Sequence, residues 1–219
     1  MAAVAERGRS EPRAAGEGPA RVTFLGDAAL VEGLRARRPE AVAAFHDRFA
    51  VSVRRLLRRV LGPDREMADI HHDVFVRALG SIGELRDPAA LSAWMTSLTV
   101  RTARISIQKR VRRRWLSFLA PEDLPEREAP ARSDEVTEAL RATYAVLGEM
   151  PADERIAFAL RFVDGMELTA VAEACGVSLS TIKRRLQRAE AQFVEAARKH
   201  PALKPWLEGG TRWGTTSVR

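Results

Sequence analysis

The chain has 219 residues and a mass of 24.2 kDa, with 46% hydrophobic residues, enough for one ordinary domain or two small ones and too apolar for a wholly disordered protein. Its 36 Lys and Arg outnumber 29 Asp and Glu; the formal charge of +7 and pI near 10.6 favour a polyanionic partner. No purely apolar run exceeds five residues (Ala41–Phe45, for example), which excludes a spanning helix of about 20. The charged N-terminus lacks the apolar stretch of a secretory signal, and the single Cys175 excludes an internal disulfide, so a cytoplasmic, reducing setting is expected.

Residues 1–27, rich in Ala, Gly and Pro with balanced charge, have no period that would bury a face and read as a disordered arm. From about Ala28 the pattern is helical. Phe45, Phe49, Val53, Leu56, Leu57 and Val60 form one stripe of a long amphipathic helix that Gly62-Pro63-Asp64 stops. A second helix over about 66–79 turns Ile70, Val74, Phe75, Ala78 and Leu79 inward and Asp69, His72, Asp73 and Arg77 outward. After a loop over 81–90, a third helix runs from about Leu91 to Arg114, with Leu91, Trp94, Met95, Leu98 and Ile105 at helical spacing and a basic end, Lys109-Arg110-Val111-Arg112-Arg113-Arg114. Residues 116–134, with three prolines and five acids against two arginines, read as a flexible acidic linker, cleavable by limited proteolysis into two stable fragments. Four more helices are expected near 135–148, 151–164, 167–175 and 178–200, then a tail over 201–219. The expected fold is all-α: two small helical domains, 28–115 and 135–200.

The basic excess is local. Residues 28–115 carry 18 bases and 9 acids, whereas residues 135–200 carry 9 and 10. Within that neutral second module, residues 180–189 hold four bases and no acid. There the segment Glu167 to Leu186 has the pattern of a helix-turn-helix: Leu168, Val171 and Ala172 inward, Gly176 for a left-handed turn, Val177 in the turn, and Ile182 and Leu186 inward from the next helix. Such a second helix enters the DNA major groove, and its outer face is Ser180, Lys183, Arg184, Gln187 and Arg188. Cys175 reads as a small buried filler. His71 and His72 are adjacent, point about 100° apart on a helix, and cannot chelate one metal well. No phosphate-binding loop, carboxylate pair or nucleophile constellation emerges, so neither an enzyme nor a metal or other cofactor is expected.

The segment Leu147-Gly148-Glu149-Met150-Pro151 through Arg155, followed by Phe158, Leu160-Arg161-Phe162, Gly165-Met166 and the helix-turn-helix, resembles region four of bacterial RNA polymerase sigma factors, specifically the small extracytoplasmic-function (ECF) group of the sigma-70 family. Asp69 to Ala78 resembles the Asp-Leu-x-Gln-Glu-x-Phe segment of region two, and Ala93-Trp94-Met95 with the basic helix end resembles its Trp-Leu and Arg-rich segment. The resemblance spans about 28–197. It implies that Asp69, His72, Asp73 and Arg77 dock on the clamp helices of the polymerase largest subunit. It also implies that the 81–90 loop and the start of the third helix, with Trp94, capture a base of the melted minus-10 element. Arg101, Arg104, Lys109, Arg110, Arg112 and Arg113 would then hold promoter DNA phosphates, and the recognition helix would read the minus-35 element. An anti-sigma factor is a further implied partner, and the free chain is expected to be monomeric.

The chain departs from the family where Arg101 and Ile105 replace an Asn and an Asp, Gln108 stands where Arg is common, and His72 and Asp73 replace Gln and Glu. Two other readings stay open on the residues: a free-standing helix-turn-helix regulator, which needs no polymerase, and a sigma mimic that titrates a regulator.

Overall fold

The computed structural model describes residues 26–117 and 135–208, and among these there is no β-strand. Residues 1–25 of the expected arm and all but the first two residues of the proposed linker lie outside them, whereas Asp27, read as the end of the arm, is the first residue of a helix and pairs with Arg48 at 2.5 Å.

The first module begins with α1 (Asp27–Arg35) and α2 (Pro39–Leu61). The helical pattern breaks between them because Pro39 opens α2 as its first residue, which pushes Arg38 into extended backbone (φ −71°, ψ 125°), and Arg37 turns left-handed at φ 55°. All six residues of the α2 stripe are buried, and Gly62 closes the helix at φ 72°. A Cβ at Gly62 would lie 2.6 Å from the ring of Tyr144 in the second module, so this glycine serves both the turn and a close approach.

Helix α3 (Met67–Ser81) buries Ile70, Val74, Phe75 and Ala78 and leaves Leu79 at the surface, against the expectation that it faces inward. Two 3₁₀ turns, Ile82–Glu84 and Pro88–Ala90, lead into α4 (Leu91–Ser117), the second turn capped by the Asp87 carboxylate accepting from the Ala89 N–H at 3.0 Å. α4 is buried on more than one side as far as Ile107. α2 and α3 cover one flank, and α6 and α7 of the second module cover another. Thr99 and Thr102 are buried with their hydroxyls donating to Met95 and Leu98 carbonyls at 2.7 and 2.9 Å, so burying them leaves no orphan donor.

The second module contains α5 (Glu135–Glu149), α6 (Ala152–Phe158), α7 (Leu168–Cys175), α8 (Leu179–Ala197), a 3₁₀ turn at Pro201–Leu203 and the short α9 (Lys204–Glu208). The single helix expected over 151–164 widens at Ala159–Val163 into a π-turn, in which the Asp164 N–H reaches the Ala159 carbonyl at 2.8 Å. Phe158, Phe162 and Phe193 pack there at ring separations of 4.8 and 4.6 Å.

One apolar core crosses from module to module, joining Phe45, Leu57 and Met95 to Ile156, Leu160, Val171 and Ile182. A smaller core lies wholly in the second module, around Leu147, Phe158 and Phe193.

His71, on the inner side of α3, is buried against Phe75, and its Nε2–H donates to the Ala50 carbonyl at 3.1 Å. Burial lowers the pKa of the ring below its usual 6.5, helped by the charge of Arg54. The unfolded chain therefore takes up this proton first, and the stability His71 confers is present above about pH 6.5 and lost as pH falls toward the folded-state value. His71→Gln keeps a donor toward Ala50, so we expect it to lose less stability than wild type between about pH 7.5 and 5.5. Equal losses in urea denaturation would rule His71 out as the titrating group.

Candidate nucleic-acid interface

The helix-turn-helix is built as its residues require. α7 buries Val171, Ala172, Ala174 and Cys175, whose thiol pKa burial raises. Gly176 takes the left-handed conformation at φ 65°, and the Val177 N–H returns to the Ala172 carbonyl at 3.0 Å. Ser178 caps α8, its hydroxyl accepting from the Thr181 N–H at 3.2 Å. Ile182, Leu186, Ala189 and Phe193 then fix the inner face of α8.

That packing leaves Ser180, Lys183, Arg184, Gln187 and Arg188 exposed along one face of the helix. Arg188 lies 3.5 Å from the Glu154 carboxylate. Arg185 points the other way and pairs with Asp153 at 2.6 Å. It shares the inward stripe with Ile182, Leu186 and Ala189, a spacing that demands an acid opposite it.

On α4, Arg101, Lys109, Arg112 and Arg113 are exposed, whereas Arg104 and Arg110 are partly covered. Arg104 meets Asp153 at 2.8 Å, so this one carboxylate holds Arg104 of the first module and Arg185 of the second. Arg110 pairs with Asp64 and reaches Glu66 at 3.4 Å, and Arg113 grips Glu66 through two hydrogen bonds of 2.9 and 3.1 Å. Those bonds to Arg113 hold the Glu66 carboxyl below its ordinary pKa. Three of the six cations expected at phosphates are thus matched to carboxylates of the chain itself. Trp94 is half-buried and packed on the shared core.

Asp69, His72, Asp73 and Arg77 are all exposed on α3. Asp69, Asp73 and Arg77 line a shallow groove between α3 and α4, whose opposite wall includes Ile105 and Lys109. Ile105 is half-buried there. Among the described residues no group of His, Cys, Asp and Glu could hold a metal ion, and no helix is long and apolar enough to cross a membrane.

Sequence reading missed Arg155. Its guanidinium is buried beneath α2, with Nε donating to the Val60 carbonyl at 3.1 Å and Nη2 to the Leu61 carbonyl at 2.9 Å. Burial lowers its pKa, and Arg110 adds to the effect.

Two family models match the chain: Sigma-70 region 2 over residues 45–115 and Sigma-70 region 4 over residues 140–193, together more than half of its length. Among curated relatives, the RNA polymerase sigma-H factor of Pseudomonas aeruginosa is 25% identical over 64% of this chain and 78% of its own length. The ECF RNA polymerase sigma-E factor of Haemophilus influenzae is 25% identical over 75% of this chain and 92% of its own, and sigma factor SigV of Bacillus subtilis is 29% identical over 55% and 69%. The fold is similar to CnrH, solved with the cytosolic domain of CnrY (TM-score 0.52, 18% identity, 79% of this chain and 97% of that one). It is also similar to RpoE of Bartonella quintana, solved with the anti-sigma factor NepR (TM-score 0.50, 21% identity, 71% and 97%). Region 2 on α2–α4 and region 4 on α5–α8, in that order, make the chain a member of the sigma-70 family of RNA polymerase sigma factors, within its ECF group.

Proposed function

We propose that this protein is a dissociable initiation subunit that binds core RNA polymerase, directs it to promoters through minus-35 and minus-10 elements, and assists DNA melting while the polymerase does the chemistry. The observation that carries the reading is the α8 face, where five polar or cationic side chains stand free of the core on a properly capped helix-turn-helix. Arg and Gln there are suited to guanine and adenine edges.

In this reading the modules are 28–115 and 135–200, joined by the 116–134 linker. Arg101, Lys109 and Arg112 meet the phosphates of the minus-10 strand directly. Arg104, Arg110 and Arg113 join them by exchanging an internal carboxylate for a phosphate, and Trp94 borders the captured base. Asp69, His72, Asp73 and Arg77 form the polymerase-docking face. The sigma family is not enzymatic, and for this chain we propose no catalytic residue. The two similar structures were each solved with a second protein, named as an anti-sigma factor for RpoE, which supports an anti-sigma partner here as well. The free protein is taken to be a cytoplasmic monomer.

The test is run-off transcription with purified core polymerase on the DNA upstream of the protein's own gene, with permanganate footprinting of the start region. We expect promoter-dependent transcripts and reactive thymines, with reactivity reduced in Arg101→Ala. Promoter and polymerase binding without reactive thymines would favour the sigma mimic, and operator binding without polymerase the free-standing regulator.

A further inference from the structure

Resting on the reading of this chain as a promoter-binding subunit, we propose that the outer side of α2, through Arg54, Arg55 and Arg58, holds the phosphate backbone of duplex DNA at a third contact, separate from α8 and from the basic end of α4.

All three side chains are exposed, and none makes a hydrogen bond or ion pair among the described residues. The acids near the end of α2 are already taken, Asp164 by Arg59 and Asp64 by Arg110. Back along the same side the next acid is Asp47, two helical turns before Arg54, and its carboxylate lies 3.9 Å from His46. Arg54 and Arg58 stand at i and i+4, and Arg55 and Arg58 at i and i+3, so each shares the helix surface with a like charge, which destabilises a helix by itself. The helix dipole offsets this only in the last turn, where Arg58 lies and Arg54 and Arg55 do not. The carbonyls at that end also have cover of their own, Val60 and Leu61 from Arg155, and Arg58 and Arg59 from the Tyr144 hydroxyl. No need of the fold accounts for three adjacent arginines, and an outside anion would remove their repulsion.

The rest of this side of α2 decides which anion. Its exposed residues from 47 to 58 are Asp47, Arg48, Val51, Arg54, Arg55 and Arg58, with no aromatic ring and no side-chain amide among them. His46 turns away, its ring 4.8 Å from that of Phe75. A protein-docking face centres on large apolar or aromatic anchors and is depleted of charge there, whereas the one apolar residue here, Val51, is small and 76% exposed. Single strands are held largely by stacking on aromatic rings, which this side lacks. A duplex backbone needs neither anchor nor ring, only fixed cations, and guanidinium forks fit phosphate oxygens two at a time. The module also supplies the attraction, since residues 28–115 carry 18 bases against 9 acids. Such a contact adds affinity at every promoter and carries no sequence preference.

The experiment measures binding of the full chain to a fluorescent mixed-sequence DNA duplex by anisotropy, between about 50 and 200 mM salt. Replacing Arg54, Arg55 and Arg58 together by Gln should lower the slope of log K against log salt by about 2.7, roughly 0.9 for each phosphate released, so the advantage of the wild type shrinks about 40-fold across that range. The triple Lys variant keeps the charge and should keep the slope. The Gln variant should melt no lower than wild type, since it relieves like-charge crowding and keeps good helix formers. Adding the three Gln changes to a chain with Lys183→Ala, Arg184→Ala, Gln187→Ala and Arg188→Ala should lower the slope by the same amount again, which separates this contact from α8. A Gln variant with the wild-type slope overturns the proposal. So does a larger change with polyglutamate or with a single strand of the same sequence, or loss of co-purification with core polymerase while the duplex slope holds, each of which assigns α2 to another partner. Run-off transcription by the wild type scores the sigma-factor reading separately.

Discussion

Simultaneous alanine replacement of Lys183, Arg184, Gln187 and Arg188 is expected to abolish selective transcription while leaving the protein folded and bound to polymerase. All four side chains are exposed on α8, and none supports Ile182, Leu186 or Phe193, which hold the helix in place. Each bidentate base contact is worth about 1–3 kcal/mol and each phosphate contact about one unit of salt slope, so the combined loss exceeds three orders of magnitude in promoter affinity. Single variants separate the roles. A base-reading residue relaxes preference at one position of the minus-35 element, whereas a phosphate-binding residue weakens all promoters alike and flattens the salt dependence. Arg188 starts from its Glu154 contact and should show the smaller single effect. Unaltered promoter choice in the quadruple variant would place recognition elsewhere.

Asp69→Lys with Asp73→Lys should eliminate co-purification with core polymerase. The two carboxylates share the exposed side of α3 and the α3–α4 groove, and neither makes an ion pair among the described residues. Reversing both changes the local charge by four units without touching Ile70, Val74 or Phe75, so helix content and melting temperature should hold. Like-charge juxtaposition at an interface costs several kcal/mol, enough to erase even a nanomolar complex at cellular concentrations. Asp69→Asn with Asp73→Asn should be milder, losing attraction without adding repulsion. Full co-purification of the folded double-Lys variant would remove α3 from the docking site.

What the sequence made legible was local. The α2 stripe from Phe45 to Val60, the inward side of α3 apart from Leu79, and the exposed face of α8 all follow from period-3.6 spacing, and each is found where that spacing puts it. The helix-turn-helix was readable because Gly176 and Ser178 are local devices whose partners lie within a few residues. Contacts between distant elements left no such trace. Arg104 and Arg113 read as cations for promoter phosphates, yet each meets a carboxylate of the chain itself, Asp153 and Glu66, that lies more than forty positions away. Arg155 entered the sequence reading only as the end of the Leu147–Arg155 segment, with no role attached, and only the approach of α2 explains its burial. α4 resisted a one-face reading because it has two covered flanks, which spreads apolar and small polar residues around the helix.

The end of α2 is finished by a side chain of the other module. Because Arg155 satisfies the Val60 and Leu61 carbonyls, and Phe45 and Val171 belong to one continuous core, neither half carries its full stability alone. The thermodynamic consequence is cooperativity. The two modules should melt in a single calorimetric transition, with calorimetric and van't Hoff enthalpies in agreement, even though an evolutionary boundary runs between them. A fragment ending before the second module should melt lower than the same helices do in the intact chain. Its α2 terminus would fray into water, and the α4 flank that faces α6 and α7 would be bare apolar surface prone to self-association.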